Sequence, residues 1–452
     1  MSRVETEFQT VIEPVVTTDS ELVVALSGGL DSVALLNLSV RYAQQQGLAC
    51  RAVHVHHGLS DNADAWASSC QKWCEALETP LEVIKVTLDL SQGESIEQVA
   101  RQARYQALTK WMTPRSILLT GQHGDDQLET FLLALKRGSG PKGLASMAAV
   151  SYFASGLKVR PLLGLSRCEL ESWACEHKLE WVEDESNHDQ RFDRNFLRHS
   201  VTPTLKERWP TILQSTLRTA TLCAEQESLL DELMSDKLKE AINEFGGLQI
   251  DTLSSQSEVY RNRLLRMWLA TQQELMPSQA QMQQLWHNVA CAKVDANPEL
   301  KLANGIVRRF QGALYWVAEH VDVSHWSQTL TINTPVQLPD ELGELSLCDN
   351  QVDNSETRIG IQTLRAPSSG ECYRVIFDPT GLSAHPESRQ HSRKLKKLFQ
   401  EYGVPSWQRR RIPIIVTEQR VVAVGDLFVD RQFSGQALTL TWLKSSNFKQ
   451  NS

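Results

Sequence analysis

The sequence predicts an α/β protein whose N-terminal parallel sheet is covered by helices on both faces. A mainly helical domain and a small α+β C-terminal domain follow it. Three observations lead there. Short apolar runs alternate with helical stretches through roughly the first 200 residues, a pattern of repeated βα units. Beyond Pro210 the chain turns to long helical periodicity, and beyond Leu302 to apolar/polar alternation. At 452 residues the chain also exceeds what one hydrophobic core usually organises.

Taken in order, Leu22–Leu26 (LVVAL) is a first strand, and a helix is expected from Asp31 to about Gln46. Ala52–His56 is a second strand, Asp61–Glu78 a helix with Trp66, Trp73 and Leu77, and Leu81–Leu88 a third strand. Ser95 with Gln98 three residues on has the form of a capping box, opening a helix to about Met112. Ile117–Leu119 makes a fourth strand and Asp125–Lys136 a further helix. Thr211–Glu244 reads as one long helix ending at Gly246-Gly247, and Val259–Gln273 as another with Leu264, Leu265 and Trp268 on one face. Gly305–Val317 alternates as strands do. Asp340–Arg358 is acidic and free of aromatics, and is expected to be a linker. Arg374–Phe377, Ile412–Thr417 and Arg420–Val424 are strands around one basic helix. The expected domains are therefore 1–215, 216–339 and 359–452, with 340–358 joining the last two.

A net charge of −8 argues against a protein coated all over by nucleic acid, but permits a local basic patch. The nine cysteines are scattered and include no CxxC pair, so free thiols in a reducing cytoplasm are expected. Met1–Asp19 does not have the form of a secretory signal, and no apolar run approaches the length needed to span a bilayer, so no membrane partner is expected.

The strongest chemical signal is Ser27-Gly28-Gly29-Leu30-Asp31-Ser32, set between a strand and a helix. Two glycines let the backbone approach an anion, and the helix start offers free N–H groups and a positive dipole end. Ser27 and Ser32 add hydroxyl groups. Asp31 would repel phosphates unless a cation intervened, which implies Mg2+. A Gly-Gly turn with a Ser/Asp helix cap is the plainer alternative. No GxxxxGK[ST] sequence occurs, so this is not a Walker A loop.

Asp126 and Glu129 stand three apart on an expected helix, where both carboxylates can face one side. Such a pair can grip an ammonium or take a proton from an amine; an exposed acidic helix start is the alternative. Arg104 is the candidate for the α-phosphate, with Arg101 its competitor. Arg194 and Arg198, at i and i+4, suit a paired clamp on phosphate or carboxylate, and surface ion pairs are the plainer reading. His56, His57 and His123 lack carboxylate–histidine spacing for zinc, and no protein-held metal centre is expected.

The SGGxDS string resembles the loop of the PP-loop ATP-pyrophosphatases, whose fold is similar to that of the adenine nucleotide α-hydrolases. Within that family, His54-Val55-His56-His57-Gly58-Leu59 resembles the HxxHGLR element of the tRNA(Ile)-lysidine synthetases, with Ser60 in place of Arg. Gly121-Gln122-His123-Gly124-Asp125-Asp126-Gln127-Leu128-Glu129-Thr130 resembles GHxxDDxxET, with Gln122 where His is common. Arg137-Gly138-Ser139-Gly140, Arg160-Pro161-Leu162-Leu163, and Asp184-Glu185-Ser186-Asn187 followed by Arg194-Asn195-Phe196-Leu197-Arg198 match further elements. Lys394–Pro413 resembles the terminal domain of the longer members, so the similarity runs nearly the whole chain.

The resemblance implies a ligase that joins L-lysine to carbon 2 of the wobble cytidine in an isoleucine tRNA with a CAU anticodon. ATP would adenylate the cytosine oxygen, and the lysine amine would displace AMP. It implies ATP held by Ser27, Gly28, Gly29, Leu30, Asp31 and Ser32, with Mg2+, and Asp31, Arg104, Asp126 and Glu129 in catalysis. Lysine would meet Asp126, Glu129 and Arg198. The tRNA would meet Arg194 together with Lys394, Lys396, Lys397, Arg409, Arg410 and Arg411.

From Ser388 to Arg411 there are eight Lys/Arg against the single acid Glu401, with Leu395, Leu398, Phe399 and Tyr402 at helical spacing. A solvated basic face is the alternative there. A PP-loop tRNA 2-thiolase is the rival enzyme, but would carry CxxC cysteines. A non-catalytic nucleotide- and tRNA-binding protein would have no need of Asp31, Asp126 and Glu129 together. The oligomeric state is left open, a homodimer included.

Overall fold

A computed structural model describes the chain except for residues 59, 61, 89–95, 186–188, 273–275, 294–295, 350–361, 369, 419 and 446–452, and the side chains of 96–98. The Ser95 capping box, Leu59 and the Ser186-Asn187 pair therefore lie outside the described residues. The chain divides into two compact units, residues 1–230 and 231–452.

The first unit runs α1 (Arg3–Ile12), β1 (Glu21–Ala25), α2 (Leu30–Gln46), β2 (Ala49–His56), α3 (Ala63–Ala76), β3 (Leu81–Lys85), α4 (Ile96–Thr109), β4 (Ser116–Leu119) and α5 (Gly124–Lys136). It continues through α6 (Pro141–Leu144), β5 (Val150–Phe153), β6 (Gly156–Val159), α7 (Arg167–Glu176), α8 (Asp193–Phe196), a π-helical turn at Leu197–Val201 and α9 (Thr202–Arg208). The long α10 (Ile212–Ala241) follows, as one uninterrupted helix. The sheet order is β3-β2-β1-β4-β6-β5, parallel except for the edge strand β5.

Two cores sandwich this sheet. Leu22, Val24, Ile117, Leu119 and Val159 pack with α1, α2 and α7 on one face. Val23, Val53 and Leu118 pack with Leu108 and Met112 on the other. This split follows from the two-residue period of side chains along buried strands. The chain moves from β1 to β2 on one side of β1 and later returns to β4 on the other. Helices α2 and α5 thus start side by side at the carboxyl ends of β1 and β4, where such sheets bind ligands.

The middle region of the second unit is helical, with a small sheet added. Its helix Glu258–Thr271 does bury Leu264, Leu265 and Trp268, but an antiparallel sheet of Leu248–Gln249, Ala313–Ala318, Gly305–Phe310 and Glu299–Lys301 shares that core. The expected linker at 340–358 is corrected in its described part: Glu344–Asp349 is a strand paired with Leu438–Leu443, and Leu345 and Leu347 are fully buried, while 350–358 lie outside the described residues. Alternation of these leucines with polar residues is the strand signal, which the acidity of the segment concealed. Ser327–Leu330 likewise pairs with Tyr373–Ile376, so C-terminal sheets begin well before residue 359. The basic helix spans Leu395–Glu401, with Leu395, Leu398 and Phe399 buried. Among the described residues no helix is long and apolar enough to cross a membrane.

Candidate active site

The turn from β1 into α2 is built by its glycines and by Ser32. Gly28 sits at φ +95°, a left-handed conformation, and a Cβ there would lie 3.0 Å from Val182 Cγ2. Ser27 N and Gly28 N donate to Ser32 Oγ at 3.2 and 3.0 Å, and Ser32 Oγ donates to Gly29 O at 2.9 Å. One side chain of α2 thus folds the loop over its own helix start, leaving the loop backbone at the helix's positive end. Gly28→Ala should weaken ATP binding at least about tenfold, since left-handed backbone and the Val182 contact both oppose it. The ATP KM checks this, with the melting temperature as a control for folding.

Asp31 follows at the first turn of α2, its carboxylate 3.5 Å from His123 Nε2 and 4.0 Å from the Arg167 guanidinium. Burial would raise its pKa, but the hydrogen bond and charge of His123, with Arg167 and Arg198, hold it below the ordinary value of 3.8. Its Oδ1 is buried without a hydrogen-bond partner. His123 caps α5, is 1% exposed, and stands among Asp31, Asp125 and Asp126. Burial would lower it, yet those three carboxylates raise it above 6.5. Gly121 makes the arrangement possible: a Cβ there would lie 3.0 Å from the Asp31 backbone.

One turn along α5, Glu129 is 1% exposed and accepts from both arginines of the next motif. Arg194 Nε donates to Oε2 at 2.9 Å, and Arg198 Nε donates to Oε1 at 2.8 Å. Arg198 also donates to Asp126 Oδ1 at 2.9 Å. Burial pulls the Arg198 pKa down, and Glu129, Asp126 and Asp31 outweigh it, leaving it raised. The π-helical turn carries Arg198, directly after Arg194 on α8, so both reach one carboxylate. Such irregular turns recur at functional sites.

These groups share a pocket of about 860 Å3 lined by Ser27, Asp31, His57, Arg104, Asp126 and Arg198, among others. Arg101 and Arg104 both line it, and Arg104 Nε donates to His57 Nε2 at 3.4 Å. Burial, with Arg104 and the neighbouring histidines, pushes the His57 pKa down to about 4.

The structure thus gathers Ser27, Asp31, Ser32, Arg104, Asp126, Arg194 and Arg198 around one pocket, with Glu129 buried behind Arg194 and Arg198. Arg194, expected on the RNA, lines the pocket and donates to Glu129 and Thr130 in its wall. In the second unit Lys394, Lys396 and Lys397 are exposed, and Arg410 is 58% exposed. Arg409 is half-buried and donates to Val404 O at 3.1 Å. Arg411, expected on the tRNA, is 11% exposed and bound to Asp340 at 2.7 Å. Sequence reasoning missed Arg167 and Thr120, and saw His123 with Asp125 and Asp126 in its motif but not beside Asp31; no local spacing announces that long-range contact.

Comparison with known proteins shows the family. A model described as a PP-loop domain matches residues 1–205, one described as the TilS substrate binding domain matches 248–315, and one described as the TilS substrate C-terminal domain matches 373–443. A tRNA(Ile)-lysidine synthase of Vibrio vulnificus is 53% identical across 98% of this chain and 100% of its own. That of Vibrio campbellii is 51% identical over 98% and 100%, and that of Photobacterium profundum 47% over 94% and 96%. Identity at this level along almost the whole length is decisive: the chain belongs to the tRNA(Ile)-lysidine synthase family.

Proposed function

We propose that this chain ligates L-lysine to carbon 2 of the wobble cytidine of an isoleucine tRNA with a CAU anticodon. The cytosine O2 attacks the α-phosphorus of ATP and pyrophosphate leaves. A lysine amine, having lost a proton, then attacks carbon 2, and the O2–carbon bond breaks as AMP departs. The observation that carries this reading is the junction of a phosphate-binding turn with a carboxylate–arginine cluster in one pocket.

In this reading Ser27, Gly28, Gly29, Leu30, Asp31 and Ser32 hold the nucleotide. Asp31 suits Mg2+, because its Oδ1 is a buried acceptor without a partner beside the phosphate turn. When bound, the ion supplies charge neutralisation for the phosphates. Arg104 steadies charge developing at the α-phosphate. Arg198 meets the lysine carboxylate, Asp126 grips an ammonium or accepts the proton that an amine of ordinary pKa about 10.4 must lose, and Glu129, buried behind Arg194 and Arg198, fixes both guanidinium groups. Lys394, Lys396, Lys397, Arg409 and Arg410 offer tRNA phosphates a cationic surface. A homodimer and a cytoplasmic location are compatible with it.

The test is incorporation of radiolabelled lysine into transcribed tRNA. Label should enter the CAU-anticodon isoleucine tRNA only with ATP and Mg2+, one AMP and one pyrophosphate appearing per lysine. Label in a tRNA whose wobble base is not cytidine would overturn the assignment.

A further inference from the structure

The α4-facing side of the sheet is apolar at Val23, Val53 and Leu118, but strand β6 continues the row with a lysine. Leu118 pairs with Lys158. The Lys158 ammonium stands 4.8 Å from the ring centre of Tyr105 and 5.4 Å from that of Phe153. Arg101 on α4 brings its guanidinium 5.2 Å from the same Tyr105 ring. Arg160, two residues beyond Lys158, is 6% exposed, donates to Ala148 O at 2.6 Å, and has a buried Nε without a hydrogen-bond partner.

The charges acting most strongly on Lys158 are themselves cations. Burial first, then Arg160 and Arg101, pulls its pKa down to about 8. Three cations around one tyrosine repel each other and forgo hydration, an arrangement that an anion relieves. Two members of the cluster, Arg101 and Tyr105, line the pocket, as does Arg104. Thr120 lines it too, 5% exposed with its hydroxyl buried and unpartnered.

We propose that Arg101 and Lys158, gathered on Tyr105, form a phosphodiester subsite for the RNA strand next to the reacting base, with Arg160 as a positioning residue. The subsite rests on the RNA-modifying function proposed above. ATP phosphates share the same chemistry. They are already served, however, by the turn at Gly28 and Gly29, whereas cations stacked on an aromatic ring suit single-stranded RNA, whose bases stack and whose phosphates need charge.

The test compares Lys158→Met, Lys158→Arg and Arg101→Gln in the full chain. Methionine keeps a flexible apolar stem and removes a half-buried charge, so the melting temperature of Lys158→Met should equal or exceed that of the unaltered chain. Its affinity for the CAU-anticodon tRNA should fall about tenfold, with a salt dependence shallower by about one counter-ion, as for Arg101→Gln. The KM for ATP should stay within about twofold, and Lys158→Arg should recover most of the affinity. Unchanged tRNA affinity, with or without a raised ATP KM, overturns the subsite. Binding is read without turnover, so the outcome does not depend on whether lysine is transferred.

Discussion

Asp31→Ala is expected to abolish turnover, by about a thousandfold or more, while tRNA affinity stays within about twofold. The carboxylate stands at the first turn of α2, directly after the phosphate turn, with Oδ1 buried and unpartnered. A negative charge beside a triphosphate is unfavourable unless it serves to hold a cation there. The tRNA instead depends on many phosphate contacts, each worth a modest share of the affinity. Asp31→Asn separates charge from shape: it keeps the volume and should be nearly as inactive. Single-turnover AMP release and filter binding of tRNA decide the matter, and a large loss of affinity in either variant would refute the separation of roles.

The same substitution carries a pH consequence. Asp31 titrates below 3.8, so its contribution to stability is present above that pH and is lost as pH falls through its folded value. His123 titrates above 6.5, so its contribution is full below that pH and is lost as pH rises through its folded value. Removing Asp31 takes away one of the three carboxylates that raise His123, so the alkaline loss should be smaller and complete at lower pH.

Much of this site was legible from local pattern. The phosphate turn announces itself because Gly-Gly, Asp and Ser must be contiguous to shape one backbone turn, and Asp126 and Glu129 share a helix face by spacing alone. The strand and helix order from Leu22 to Lys136 follows the apolar periodicity with ends displaced by a few residues, whereas α1 and the elements from α6 to α9, with β5 and β6, were not read. What local pattern conceals is partnership across the fold. Nothing near Arg194 says that Glu129, distant in sequence, will take its guanidinium, and nothing near Arg411 points to Asp340. The segment at 344–349 misleads for a related reason: acidic and polar residues around it obscure the alternation, and only Leu345 and Leu347 reveal the buried side of a strand.

Glu129→Ala should cost about 3–5 kcal/mol of stability in the first unit, besides abolishing lysine transfer, because it strips a buried anion from two guanidinium groups. Glu129 is 1% exposed, whereas Arg194 and Arg198 side chains are 29% and 25% exposed. The arginines can therefore recover some hydration, which favours the lower end of that range. Glu129→Gln keeps an acceptor and the shape but removes the charge, so it should lose less stability while still raising the lysine KM about tenfold or more. If Glu129 only buttressed the fold, stability and lysine KM would recover together in the glutamine variant. If it fixes Arg194 and Arg198 for the amino acid, the lysine defect should persist after most of the stability has returned. Denaturant titration of the first unit's transition, set beside the lysine KM at saturating ATP, reads both quantities from the same two variants.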